Sequence, residues 1–170
     1  MEKEQVDLHR FRRLVDMAQN AGAMRACELL EDALELWHGP PLSGVAGQWL
    51  PSTAGVYLEE ERLSALEEHA TATLETGRVR DAIRELTSLV VEHPLRERAA
   101  SLLMTALHRE GRRGDALTVF RDTRRHLVQE LGIEPGSILR NTHQKILSDT
   151  HEILSRNTHA PRDDFMGVRT

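Results

Sequence analysis

The sequence predicts an all-α fold of stacked antiparallel helical hairpins, and three observations predict it. The first is an internal repeat at an offset of 34 residues. Thr71-Ala72 recurs as Thr105-Ala106, Gly77-Arg78 as Gly111-Arg112, and Asp81-Ala82 as Asp115-Ala116. Ile83 and Leu86 recur as Leu117 and Phe120. The second is apolar spacing of helical period along most of the chain, with no alternating stretch that would suggest a strand. The third is punctuation by Gly, or Gly with Pro, where a periodic stripe stops.

A period of 34 carrying these residue types is the tetratricopeptide pattern. Gly ends one helix with φ > 0, Ala lets the next helix approach closely, and the large residue fills the space between neighbouring pairs. Such stacks serve as binding scaffolds.

The elements follow in order. Val6, Leu8, Phe11, Leu14, Val15 and Ala18 mark a first helix, with Asp7 near its start and Gly22 at its end. Ala26, Leu29, Leu30, Ala33, Leu34 and Trp37 mark a second, stopped by Gly39-Pro40-Pro41. Residues 38–52 read as an inserted Gly/Pro loop carrying Trp49; loops of this length are usually functional or packed over a groove. A long helix is expected from about Ser52 to Thr76, with Leu58, Leu63, Leu66, Ala70 and Leu74 inward. Beyond Gly77 a helix bears Val79, Ala82, Ile83, Leu86 and Val90. His93-Pro94 then sets a new start, with Pro expected at a first helical position, where its missing N–H is not needed. Leu95, Ala99, Leu102, Leu103, Ala106 and Leu107 line that helix. After Gly111 the next carries Ala116, Leu117, Phe120, Leu127 and Leu131 inward and closes at Gly132. Pro135-Gly136 introduces a last helix with Ile138, Leu139, Ile146 and Leu147 inward. A final unpaired helix is what a solenoid needs to cover its open end. The expected layout is three hairpins plus a C-terminal capping helix over residues 1–154, then a flexible tail, 155–170.

Composition narrows the function classes. The chain of 170 residues is 39% apolar and 29% charged, as expected of one soluble domain. It has no apolar run long enough for a membrane span and no signal-peptide core after Met1, so a cytoplasmic location is expected. The single Cys27 makes neither an internal disulfide nor a four-thiolate metal site. A net charge of −5 argues against strong autonomous nucleic-acid binding. Charge is nevertheless uneven: residues 53–92 hold nine acids and four bases, whereas residues 96–126 hold eight arginines and four acids.

Four ordered stretches carry a more specific likeness: Asp7-Leu8-His9-Arg10-Phe11, Leu36-Trp37-His38-Gly39-Pro40-Pro41-Leu42, His93-Pro94-Leu95-Arg96-Glu97, and Glu130-Leu131-Gly132-Ile133-Glu134-Pro135-Gly136. With them the chain, over about residues 6–150, resembles the bacterial transcriptional activator domain of the antibiotic regulatory proteins of actinomycetes. The resemblance implies a seven-helix tetratricopeptide-like fold and a role in transcription activation of antibiotic gene clusters. It implies as partners a second protomer, RNA polymerase, and DNA reached through an N-terminal winged-helix domain. That domain is absent here, so the chain is expected to be an excised or stand-alone module that meets DNA weakly by itself.

Trp37 and Trp49 flank the Gly/Pro loop and are expected to pack it, each with its N–H satisfied. Arg109, Arg112, Arg113, Arg121, Arg124 and Arg125 form the candidate acid- or phosphate-binding group. Within it, Arg121, Arg124 and Arg125 share a helix face at i, i+3, i+4; pairing with Asp122 or with acidic helices is the competing role. His93-Pro94-Leu95-Arg96-Glu97 reads as mainly structural, and Glu59-Glu60-Glu61 as solvated surface. No His-Glu-x-x-His, phosphate-binding glycine loop or Gly-x-Ser-x-Gly elbow occurs, so neither enzyme, metal nor cofactor is expected. A generic peptide-binding groove, or a small molecule held under the 38–52 loop, are the alternative functions.

Overall fold

The computed structural model describes residues 2–37 and 53–157. These residues form seven α-helices and no strand: α1 (Glu2–Gln19), α2 (Ala23–Glu35), α3 (Thr53–Glu75), α4 (Val79–Glu92), α5 (Glu97–Arg109), α6 (Arg113–His126) and α7 (Ser137–Asn157). Consecutive helices from α1 to α6 pack against each other, and α7 closes on α5 and α6. The result is a tetratricopeptide-like stack, as the repeat predicts. The expected loop at 38–52, with Trp49, and the segment from 158 onward lie outside the described residues.

Two apolar clusters hold the stack. Phe11, Cys27, Leu29, Leu30 and Ala33 meet Ala65 and Ala72 of α3, joining the first hairpin to the second. Leu63, Leu74, Leu86, Leu103, Met104 and Leu107 meet Leu139 and Ile146 of α7 in the larger cluster. Ala82 and Ala116, the small residues of the repeat, are completely buried. A larger side chain there would separate helices by more than their packing allows. Long α3 has neighbours on both flanks and buries Leu63, Ala65, Ala70, Ala72 and Leu74, which together reach around it.

Both repeat glycines take the conformation that their position predicts, with φ of 83° at Gly77 and 75° at Gly111. The amide of Arg78 donates to the Thr73 carbonyl and that of Gly77 to Leu74. Arg112 and Gly111 repeat this with Leu107 and His108. The last carbonyls of α3 and α5 are thereby satisfied by the turn. No heavy atom lies within 4 Å of a Cβ built at either glycine, so only the backbone opposes a side chain. Gly77→Ala and Gly111→Ala are each expected to cost about 1 kcal/mol in urea unfolding, with Asn costing less. A loss indistinguishable from zero would show that the left-handed turn is dispensable.

Three local expectations are corrected. Pro94 does not open α5: it lies in a turn closed by the Arg96 amide on the His93 carbonyl, and α5 begins at Glu97. The turn leaves Arg96 free to reach back to α3. Secondly, α6 ends in a five-residue π turn, Leu127–Leu131, before Gly132 at φ 68°. A π turn rotates the following residues relative to α-helical spacing. Leu127 is therefore buried while Leu131, expected inward, is 53% exposed. Thirdly, Ile138 and Leu147 of α7 are exposed, and among its described side chains Leu139 and Ile146 are the buried apolar ones.

Candidate interaction surface

The described arginines divide by position. Arg112 caps the start of α6, whereas Arg121, Arg124 and Arg125 occupy its second half. At 1.5 Å per residue, about 18 Å of helix separates Arg112 from Arg124. The structure therefore gathers Arg121, Arg124 and Arg125 and leaves Arg112 at the opposite end of the helix. Arg121 donates to Thr118 Oγ1, Arg125 pairs with Asp122 at 3.0 Å, and Arg112 pairs with Asp115 at 2.7 Å. Arg124 binds both oxygens of Glu134 at 2.6 Å, which holds that carboxylate below its ordinary range. All four arginines are exposed. Exposed pairs contribute little stability and exchange readily for an incoming anion.

Beside these arginines the bend from α6 to α7 presents Val128, Leu131, Ile133 and Ile138, between 42% and 57% exposed. The π turn creates this run, since unbroken helical spacing would have buried Leu131 with Leu127. The sequence pattern held no sign of the π turn.

Two of the distinctive stretches are physically connected. The Glu97 carboxylate accepts the Gly136 amide at 2.6 Å, tying the start of α5 to the start of α7. A Cβ at Gly136 would stand 3.2 Å from that carboxylate, which explains the glycine. Arg96 donates through Nε to Glu67 Oε1 at 2.7 Å and spans Glu60 at 2.7 and 2.9 Å. Glu61 in turn receives both Nε and Nη2 of Arg12 in α1. Within the acidic run on α3, Glu60 and Glu61 thus tie the helix to neighbouring segments, while Glu59 pairs with Arg62 of the same helix. Arg109, expected in the surface group, donates to the Leu74 carbonyl and helps end α3. Trp37 is half-buried against Phe11, with ring centroids 5.1 Å apart. Its buried Nε1 finds no partner among the described residues.

His69 joins α2, α3 and α4. Its Nδ1 faces Glu85 Oε2 at 2.8 Å and its Nε2 faces Glu31 Oε1 at 3.3 Å, an oxygen that Arg78 also reaches. The hydrogen bond with Glu85 raises the imidazole above its ordinary range, Glu31 adds to this, and burial opposes it. The hydrogen bond from His69 holds Glu31 below the carboxylate range, with burial opposing and Arg78 assisting. The histidine contribution to stability is complete below its unfolded value of about 6.5 and is lost as pH rises through the higher folded value. The Glu31 contribution is present above the ordinary carboxylate range and is lost as pH falls through its depressed folded value. Melting temperature is expected to decline as pH rises from about 6.5 through the raised folded value of His69, with part of that slope absent in His69→Gln. An imidazole that titrates below its ordinary value by NMR would contradict this.

Among the described residues no group of three His, Cys, Asp or Glu side chains is placed to hold a metal ion. No described helix is long and apolar enough to cross a membrane.

The fold is that of a helical, tetratricopeptide-like module. Residues 6–147 match the bacterial transcriptional activator domain, and the chain belongs to that family, in the type carried by the Streptomyces antibiotic regulatory proteins. Among individual proteins it is similar to the transcriptional regulator RedD of Streptomyces coelicolor, 42% identical over 166 residues, covering 93% of this chain and 47% of RedD. It is 45% identical over 133 residues to the regulatory protein AfsR of the same organism, covering 78% of this chain and 13% of AfsR. The solved structure of Mycobacterium tuberculosis EmbR in complex with a low-affinity phosphopeptide superimposes with a TM-score of 0.80 at 33% identity. That match covers 84% of this chain and 39% of EmbR. The chain spans less than half the length of each of these three proteins.

Proposed function

We propose that this module acts within the activation of secondary-metabolite gene clusters, pairing protomers and contacting RNA polymerase, while DNA is read by a winged-helix domain outside this chain. The observation that carries the reading is the α6–α7 bend, where Val128, Leu131, Ile133 and Ile138 lie beside Arg121, Arg124 and Arg125. Exposed apolar groups with adjacent arginines suit a protein partner bearing apolar and acidic groups, because association removes the former from water and pairs the latter. Arginine also tracks phosphates, so the same face can lie along promoter DNA once another domain has set the register. Membership of the activator family supports the regulatory role.

The test is capture of RNA polymerase by the chain with Arg121, Arg124 and Arg125 reversed to Glu. Capture is expected to weaken about tenfold or more, equivalent to about 1.4 kcal/mol. Undiminished capture would remove the bend from the contact. Light scattering after size exclusion addresses pairing. The wild-type chain is expected to gain mass with concentration, and Leu131→Asp to remain monomeric. A strict monomer throughout would refute pairing through this module alone.

A further inference from the structure

Of the three arginines at the α6–α7 bend, Arg124 takes its acidic partner from outside its own helix. Arg125 pairs with Asp122 three residues away, and Arg121 donates to the Thr118 hydroxyl. Glu134 lies beyond the π turn, ten residues on in sequence, and accepts Arg124 Nε and Nη2 on its two oxygens at 2.6 Å. The hydrogen bond from Arg124 holds this carboxyl below the ordinary range, burial opposes and the charge of Arg140 assists, so Glu134 is ionised at neutral pH. Its segment is pinned on either side. The Gly132 amide donates to the Val128 carbonyl, Pro135 is buried, and the Gly136 amide donates to Glu97. The Glu134 side chain is nevertheless 57% exposed, and Ile133 and Ile138 beside it are exposed as well.

A carboxylate tethered this closely is present at Arg124 at an effective concentration of about millimolar or more. An anion arriving alone exchanges one charge-assisted contact for another and gains little. A protein segment that carries an acidic and an apolar side chain together makes the same exchange and also removes Ile133 and Ile138 from water.

We propose that Glu134 is an internal competitor. It occupies Arg124 in the free chain and yields to an Asp or Glu of a protein partner whose neighbouring apolar side chain covers Ile133 and Ile138. The competition weakens every anion by the same factor, so a partner without the apolar contact is left too weak to stay bound. A nucleic-acid backbone is therefore held off unless another domain delivers it. The inference rests on the proposed function for which protein is the partner, but the competition itself needs only the bend.

The test compares Glu134→Gln with Glu130→Gln in the complete chain. Glu130 is exposed on the same π turn, so its loss removes an equal charge and leaves Arg124 with Glu134. The probes are RNA polymerase and a mixed-sequence DNA duplex of about 30 base pairs, in about 50 mM salt to keep backbone binding measurable. Glu134→Gln is expected to bind both probes about two- to fivefold tighter, and Glu130→Gln to gain clearly less. In an Arg124→Gln background the gain from Glu134→Gln should vanish. Ile138→Ala should weaken polymerase capture and leave duplex binding unchanged. Equal gains from the two Gln variants, or a gain that survives without Arg124, would overturn the competitor. Equal weakening of both probes by Ile138→Ala would overturn the preference for protein. If reversal of Arg121, Arg124 and Arg125 spares polymerase capture while Glu134→Gln still tightens the duplex through Arg124, the competitor stands and polymerase is not its partner.

Discussion

Arg96→Ala is expected to lower the unfolding free energy by about 3–5 kcal/mol, the usual result of removing one partner from a buried ion pair. Glu67 lies on α3 with its side chain 2% exposed, and Arg96 Nε holds it at 2.7 Å. Arg98 approaches the other oxygen only at 3.6 Å and is half exposed, so it cannot replace that contact. Without Arg96 the buried carboxylate loses its close partner, and leaving it unpaired costs free energy. The same guanidinium also spans Glu60 and reaches Ser64 Oγ, so its loss separates the α4–α5 turn from α3. For a domain of this size the melting temperature should fall by roughly 10 °C. Glu67→Met/Arg96→Met should recover most of the loss, because two apolar groups leave no buried charge unpaired. A loss in Arg96→Ala below about 1 kcal/mol would mean that the pair behaves as an exposed one.

Leu139→Ala is expected to cost about 3 kcal/mol, within the usual range for removing a fully buried leucine. Leu139 has no exposed surface, and with Ile146 it forms the whole described apolar contact stripe of α7. Polar contacts from Glu97, Ser101 and His108 reach the same helix, and His143 stacks on Phe120 at 3.8 Å. Burial lowers the pKa of His143, favouring the neutral ring in that stack. These contacts orient α7, but the leucine provides the burial that keeps it there. Hydrogen exchange should accelerate first across residues 137–157, while α1 and α2 stay protected. Ile138→Ala, one position away but 57% exposed, should change stability by less than about 0.5 kcal/mol. If the bend is the partner contact, Ile138→Ala weakens capture without moving the melt. Equal destabilisation by both variants would refute the assignment of inner and outer faces on α7.

The repeat made much of this fold legible. Gly77 and Gly111 adopt positive φ, Ala82 and Ala116 are sealed between helices, and Leu86 and Phe120 occupy the inter-hairpin space. Each follows from local backbone geometry and helical period, which a single sequence expresses directly. Less legible was the terminus of α6. Leu127 and Leu131 stand at ideal helical spacing, yet a π turn turns one inward and the other outward. Pro94 failed for a different reason. The preference of proline for a first helical position is weak beside the attraction of Arg96 for two carboxylates on a neighbouring helix.

Periodicity, turn glycines and small residues were enough to specify helices, their order and their stacking, since those properties depend on residues close in sequence. The ordered peptide stretches were enough to indicate the family. Partner choice among charges was not: Glu60, Glu61 and Glu67 look alike along the chain, but one meets Arg96, one meets Arg12, and one is buried. The outward apolar run at the α6–α7 bend and the pairing of Glu134 with Arg124 likewise exist only once the helices have packed. Burial and ion pairing are properties of distances between segments, and folding alone sets those distances.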